Sequence, residues 1–392
     1  MDYAVAEPIR EMLPDGLAEA PLPLFDAPPD QDELFARLRL ARSRRVGPAT
    51  FRRLLVEHGS ARAALDALPD VAAAAGDRDY RPADPDGVRR EIRAARKAGA
   101  RLLTLGAPGY PARLADIAGA PPVLWAQGDP ALLDGPSLAI VGTRNASSLA
   151  LRMARALGRD LASEGVTVVS GLARGVDAVA HDAALPSTVA VHGGGLDKVY
   201  PAENAELAER IAAEGCNLSE RPFGLAPQAR DFPRRNRIIS GVSQAVLVVE
   251  AAAKSGSMIT ARDALDQGRE VLAIPGHPFD GRASGCNLLL RDGATLVRGA
   301  DDVLEVLAAL DRPAPPSEPE RPAPPAPIVV DATDLRDRIL SLLSPVPVAE
   351  DQLLRDLSGK APVAPQAVAT HLLEMEMSGD IARRPGGGLV RL

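Results

Sequence analysis

The residues best equipped for chemistry lie between Phe223 and Thr260. In the run RDFPRRNR, Arg230, Arg234, Arg235 and Arg237 surround Phe232, Pro233 and Asn236, with Asp231 the lone acid. Guanidinium forks pair bidentately with phosphate and an aromatic face stacks a splayed base, so this Pro- and Arg-rich loop suits a nucleic-acid strand better than a small metabolite. A short basic run also fits a solvated loop. The apolar run Ala245–Val249, ending at Glu250, has the pattern of a central parallel strand whose carboxyl end borders a ligand crevice. Lys254, Ser255, Gly256 and Ser257 then open a helical pattern reaching Gln267, with Ser257 as N-cap. A helix N-terminus flanked by a lysine and hydroxyls is an anion site.

The elements that must hold these groups begin at Ser137, where short apolar runs alternate with amphipathic stretches. Strands are predicted at Leu138–Val141, Val166–Val169, Thr188–Val191, Cys216–Ser219, Ala245–Val249, Val271–Ile274 and Thr295–Val297. Helices are predicted at Leu149–Glu164, Asp177–Ala184, Asn204–Glu214 and Ser257–Gln267. This alternation predicts an α/β fold, a parallel sheet with helices on both faces. The loops after its strands share the crevice edge. They carry Gly142, Thr143 and Arg144, then Ser170, Gly171 and Arg174, then Lys198 and Tyr200 behind Gly193-Gly194-Gly195. Glycines admit a ligand close to the backbone while Arg144, Arg174 and Lys198 supply charge. Tyr200 and Phe232 sit beside cations, as stacking platforms do; either could instead plug a core edge.

Other chemistry is thinly supported. Neither GxGxxG nor a Walker A lysine occurs, which argues against a nicotinamide enzyme or a P-loop ATPase. His181 and Asp177, four residues apart near Ser170, lack a GxSxG elbow, and His192 with Glu250 is a bare acid–base candidate that a structural role fits as well. Cys216 and Cys286 form no CxxC, so neither a disulfide framework nor a zinc site is expected.

The chain has 392 residues and a net charge of −7, enough for several domains and too acidic for wholesale coating by nucleic acid. It has no signal-like start and no long apolar run, and reads as cytosolic, without a membrane partner. Residues 1–30 are Pro-rich and acidic, a disordered leader; 31–100 form a helical domain broken at Val46-Gly47-Pro48, a turn like that of a helix-hairpin-helix. A strand-and-turn segment at Leu102–Gly128 bridges into a core domain spanning 101–310. A Pro-rich linker at 311–330 precedes a small domain at 331–392. Its predicted helices are Leu335–Leu343, Ala349–Leu357 and Gln366–Ser378, followed by a hairpin of Ile381–Arg383 and Leu389–Leu392 around Gly386-Gly387-Gly388. The third helix is acidic and apolar, suited to protein contact or a structural role rather than groove reading.

Taken in order, AIVGTRNAS, VVSGLARGVDAVAH, GGGLDKVYPAEN, FPRRNRIISGVSQAVLVVEA, SGSMITARDALDQGREVLAIPG and GCNLLLRDGA resemble the DNA-processing protein A (DprA/Smf) family over about Leu102–Leu307. The resemblance implies an extended Rossmann-like core with a sterile-alpha-motif-like helical domain before it and a winged-helix-like domain after it. It implies a non-enzymatic single-stranded DNA-binding protein of natural transformation, usually a homodimer and without cofactor, that protects incoming strands and loads the RecA recombinase onto them. Arg144 of GTRN, Lys198 of LDKVYP, the FPRRNR run and the SGS turn would contact the strand. The likeness departs at His192-Gly193. A second reading, a nucleotide-processing enzyme of the lysine-decarboxylase-like Rossmann group, lacks that group's PGGxGTxxE run; VVEAAAKSGSMIT is the nearest equivalent.

Overall fold

A computed structural model describes residues 30–310, 332–344, 346–358, 365–383 and 388–392. The expected leader (apart from Asp30), all of the expected Pro-rich linker, and Gly386 and Gly387 of the expected hairpin turn lie outside the described residues. The chain divides into two units, Met1–Arg312 and Pro313–Leu392.

The first unit opens with α1 (Gln31–Arg42), α2 (Pro48–His58), α3 (Ala61–Ala74) and α4 (Pro85–Lys97). Asp30 caps α1 by accepting from Glu33 N at 2.7 Å, while Gly47 and Pro48 start α2 as N-cap and first helical residue. Phe51, Leu54, Leu55 and Ala64 are buried where α1, α2 and α3 meet. The fully buried Arg37 ties α1 to the sheet: it pairs with Glu33 at 3.1 Å and donates to the Leu105 carbonyl at 3.0 Å.

The sheet is built from β1 (Arg101–Thr104), then, past the short α5 (Ala112–Ala115), β2 (Val123–Gly128) and β3 (Ser137–Val141). After α6 (Ser148–Ser163), β4 (Thr167–Ser170), α7 (Val176–Ala184), β5 (Thr188–Val191), α8 (Ala205–Glu214) and β6 (Cys216–Ser219) comes α9 (Asp231–Val242). Then follow β7 (Ala245–Val248), α10 (Gly256–Asp266), β8 (Glu270–Ala273), α11 (Ser284–Arg291), β9 (Thr295–Leu296) and α12 (Ala300–Leu310). The strand order is β1-β2-β6-β5-β4-β3-β7-β8-β9. From β6 to β9 every pairing is parallel, as expected; the bridging segment adds β1 and β2 as an antiparallel edge, Trp125 of β2 opposing Ser219. From β3 the chain winds outward through β4 and then restarts on the other side at β7, so the order reverses at β3, where such sheets open a crevice past the carboxyl ends of their strands. Buried Val, Leu, Ile and Ala side chains cover both sheet faces.

Two local expectations need correction. The RDFPRRNR run is not a loop: from Asp231 it forms the first turns of α9. Asp231 accepts from Gln228 N at 2.8 Å ahead of the helix, Pro233 falls in the first turn where its missing N–H costs nothing, and Ile238, Ile239 and Val242 anchor the helix in the core. Ser257 is not the cap of α10, since Ser255 holds that position and the Ser257 hydroxyl donates to the Gly142 carbonyl at 2.8 Å.

In the second unit, α13 (Ala332–Leu342), β10 (Val348–Ala349), α14 (Glu350–Ser358), α15 (Pro365–Ser378), β11 (Ile381–Arg383) and β12 (Gly388–Arg391) make three helices and a small antiparallel sheet of order β10-β12-β11. Ala349, expected to open a helix, sits in β10 because it pairs with Gly388. Leu335, Ile339, Leu353, Val368, Leu372 and Leu389 are buried in its core. Among the described residues no helix is long and apolar enough to cross a membrane.

Candidate nucleic-acid interface

Where the strand order reverses, the loops after β3, β4 and β5 meet the start of α9 around a cavity of about 60 Å³. Its lining comprises Arg144, Gly171, Ala173, Arg174, Tyr200, Pro201, Phe232 and Arg235. The fold thus brings together six of the residues singled out in the sequence, from four separate segments. Ala173 and Pro201 carried no chemical signal and line the cavity only because of the loop paths.

The aromatic pair forms one wall. The Tyr200 and Phe232 rings lie 5.3 Å apart at 44°, and the Arg144 guanidinium sits 5.6 Å from the Phe232 centroid. Tyr200 is 53% exposed, so one face of this stack is open to a flat ligand. A Cβ on Gly193 would lie 3.1 Å from the Phe232 ring, and one on Gly194 or Gly195 would strike the 222–227 backbone. The glycines of the third loop therefore let the segment leading into α9 close over it.

The floor is polar. Arg235, buried, donates through Nη1 to the Gly171 carbonyl at 2.6 Å and to the Val191 carbonyl, and through Nε to Asn236 Oδ1 at 3.2 Å. Burial pulls this guanidinium down to about 10, with Asp177 opposing the shift and Arg144 adding to it. Asp177, also buried, accepts from Gly171 N at 3.1 Å and Ala173 N at 3.4 Å; burial pushes its carboxyl up, against the pull of Arg235. The acid, which the sequence offered only beside His181, belongs to the first turn of α7, a position that favours carboxylates. Asn204 holds the intervening Leu172, at φ 55°, by donating to its carbonyl at 2.9 Å.

The remaining candidates take other places. Arg174 is exposed and pairs with Glu203 at 2.7 Å, and Lys198 is exposed outside the cavity, 3.9 Å from Asp197. Arg234 points outward and has no ion-pair partner among the described residues, whereas Arg237 turns away to pair with Glu220 at 2.7 Å. Gly142 is packed so closely on Val176 that a Cβ would lie 2.5 Å from it, and Thr143 N donates to the Glu250 carbonyl at 2.7 Å. The Ser170 hydroxyl is spent on the Ile140 carbonyl at 2.6 Å. Lys254 and Gly256 are exposed and Ser255 partly so, all three outside the cavity. The acid–base candidates separate: His192 Nε2 meets Asn217 Oδ1 at 2.9 Å, and Glu250 accepts from Ser147 N at 2.9 Å. His181 is buried with Nδ1 2.7 Å from Thr188 Oγ1.

Comparison with known proteins gives this arrangement relatives. Residues 101–308 match the family model described as DNA recombination-mediator protein A, residues 31–94 a DprA-like N-terminal HHH domain, and residues 312–387 a DprA winged helix domain. The chain is 40% identical to Protein Smf of Escherichia coli over 284 residues, 71% of this chain and 74% of that one. The crystal structure of DNA processing protein A from Streptococcus pneumoniae superposes with a TM-score of 0.53 at 38% identity, over 57% of this chain and 78% of that one. A Helicobacter pylori DNA processing protein A, solved for its single-stranded DNA binding mode, does so with a TM-score of 0.50 at 32% identity, over 54% and 96%. With its sheet, its helical start and its winged helix each matched, the chain belongs to the DNA-processing protein A (DprA/Smf) family.

Proposed function

We propose that this chain binds single-stranded DNA at the crevice above β3, β4 and β5 and acts as a mediator of recombination in natural transformation. The observation that carries this reading is the convergence of the Tyr200–Phe232 pair with Arg144, Arg174 and Arg235 around one small cavity. An open aromatic face takes an unstacked base and the exposed Arg144 and Arg174 guanidinium groups donate to the phosphates beside it, over a floor held by the buried Arg235, a combination that serves a single strand and leaves base sequence unread. The Helicobacter pylori relative, solved for its single-stranded DNA binding mode, supports the same use here.

By family likeness the protein works in the cytoplasm as a homodimer, protects incoming strands and passes them to the RecA recombinase. It acts by binding: the His192 and Glu250 side chains, the residues nearest to an acid–base pair, are each engaged elsewhere. Titrating the full chain with labelled single strands of mixed sequence, and with the corresponding duplex, tests the reading. Preference for the single strand, lost on Arg144→Ala, is expected; equal affinity for the duplex, or release of base from nucleoside monophosphates, would overturn it.

A further inference from the structure

A row of exposed basic residues lies outside the crevice, on α4. Arg89, Arg93, Arg96 and Lys97 follow one another at i, i+4, i+7 and i+8 and form one exposed stripe, with Arg90 beside it. Arg101, exposed at the start of β1 four residues past Lys97, donates to the Gly128 carbonyl at 3.1 Å. Acids answer only the beginning of the stripe, where Arg89 pairs with Asp86 at 2.7 Å and Arg90 with Asp84 at 3.5 Å. Arg93, Arg96, Lys97 and Arg101 are exposed without an ion-pair partner among the described residues, in a chain whose net charge is −7. Like charges four apart repel, so the Arg93–Lys97 spacing works against the helix. The favourable helix dipole reaches the last turn, where Arg96 and Lys97 lie.

The opposite face of α4 connects this stripe to the crevice. Val88 and Ala95 pack in one apolar cluster with Trp125 and Leu196, and Phe223 packs against that cluster. Leu196 belongs to the loop that carries Lys198 and Tyr200, and Phe223, edge-on to Trp125 at 5.7 Å, belongs to the segment that leads into α9. The helix is thus seated on the two chain segments that present Lys198 and Phe232.

We propose that the outer face of α4 is a second phosphate-contacting surface, which takes the single strand where it leaves the crevice past Lys198. This rests on the crevice reading above and lengthens the bound strand. A polyanion is the ligand that an exposed row of unpaired cations recognises, and with no aromatic interleaved in PDGVRREIRAARK the row holds backbone rather than bases.

The test uses the full chain carrying Arg93→Gln, Arg96→Gln and Lys97→Gln together, with single strands of about 6 and about 30 nucleotides to bracket the crevice alone and the crevice plus helix. Three lost contacts should make the slope of log affinity against log salt shallower by about 2 units for the long strand and leave the short strand unchanged. Circular dichroism checks the helix; if the triple variant is perturbed, Arg96→Gln alone should take away about 0.7 units. An unchanged long-strand slope overturns the proposal, as does equal weakening at both lengths, which would mean that α4 acts through the crevice loops. Arg144→Ala, measured beside it, reports on the crevice itself: if it leaves short-strand binding untouched, the crevice reading fails independently of α4.

Discussion

Arg235 donates from Nη1 to the carbonyl oxygen of Gly171 at 2.6 Å, and a Cβ on residue 171 would lie 2.4 Å from that same nitrogen. The glycine is there because the guanidinium is. Since Arg235 also reaches the Val191 carbonyl, one buried cation fixes the loops after β4 and β5 and sets the floor of the crevice.

The arginines of α9 should therefore separate by experiment. Arg234→Ala removes one exposed cation, so the salt slope of single-strand binding should fall by about 0.7 units with the fold intact. Arg235→Ala leaves buried carbonyls without a donor and Asp177 without its counter-charge, and should cost about 3 kcal/mol of stability. Chemical denaturation beside salt-dependent titration reads both. Equal stability loss in the two variants would refute the division.

Tyr200→Ala should weaken strand binding by about 1–3 kcal/mol, the value of one stacked base, with stability changed by less than about 0.5 kcal/mol. Tyr200→Phe keeps the ring beside Phe232 and should retain most of the affinity. If the alanine variant binds as tightly as its parent, the exposed ring face is not a stacking platform.

Gly175 has φ 77°, and a Cβ there would sit 2.5 Å from the Thr143 carbonyl oxygen. Gly175→Ala should then cost about 1–3 kcal/mol and push apart the loops after β3 and β4. Arg144, next to Thr143, would move with them, so lower thermal stability and weaker binding should appear together. A variant with the parent's melting temperature would remove this account of the loop contact.

Acid should weaken the fold through His192. Burial lowers its imidazole from 6.5 to about 4, with the Asn217 hydrogen bond opposing and Arg235 adding to the shift. Because the folded value lies below the unfolded one, the unfolded chain takes up the proton first, so stability falls as pH drops from about 6.5 towards about 4. His181, lowered to about 3 by burial and by its neighbours His192 and Arg235, works in the same direction. Asp177, raised by burial, works in the opposite one. His192→Asn should flatten the stability–pH curve over this window by on the order of 1 kcal/mol per pH unit. Parallel curves for variant and parent would show that His192 does not titrate on unfolding.

The sequence alone determined the alternation of elements, since a period change from strand to helix is local and survives any packing: Thr188–Val191 and Cys216–Ser219 match the structure residue for residue. It also marked Arg144, Gly171, Arg174, Tyr200, Phe232 and Arg235 as candidates, because glycine, cation and aromatic types are visible wherever they stand. Which cations stay free was a tertiary matter. Arg234, Arg235 and Arg237 are alike in type and nearly adjacent, yet the 100° step of a helix sends them outward, into the sheet and towards Glu220 respectively. Read as a loop, the same run has no such division. The pairing of the expected strand-and-turn bridge was equally hidden, for Trp125 finds its partners in Ser219, far along the chain, and in Glu91, whose carboxylate accepts its indole N–H at 2.7 Å. Those pairings depend on contacts between distant segments, and no local pattern encodes them.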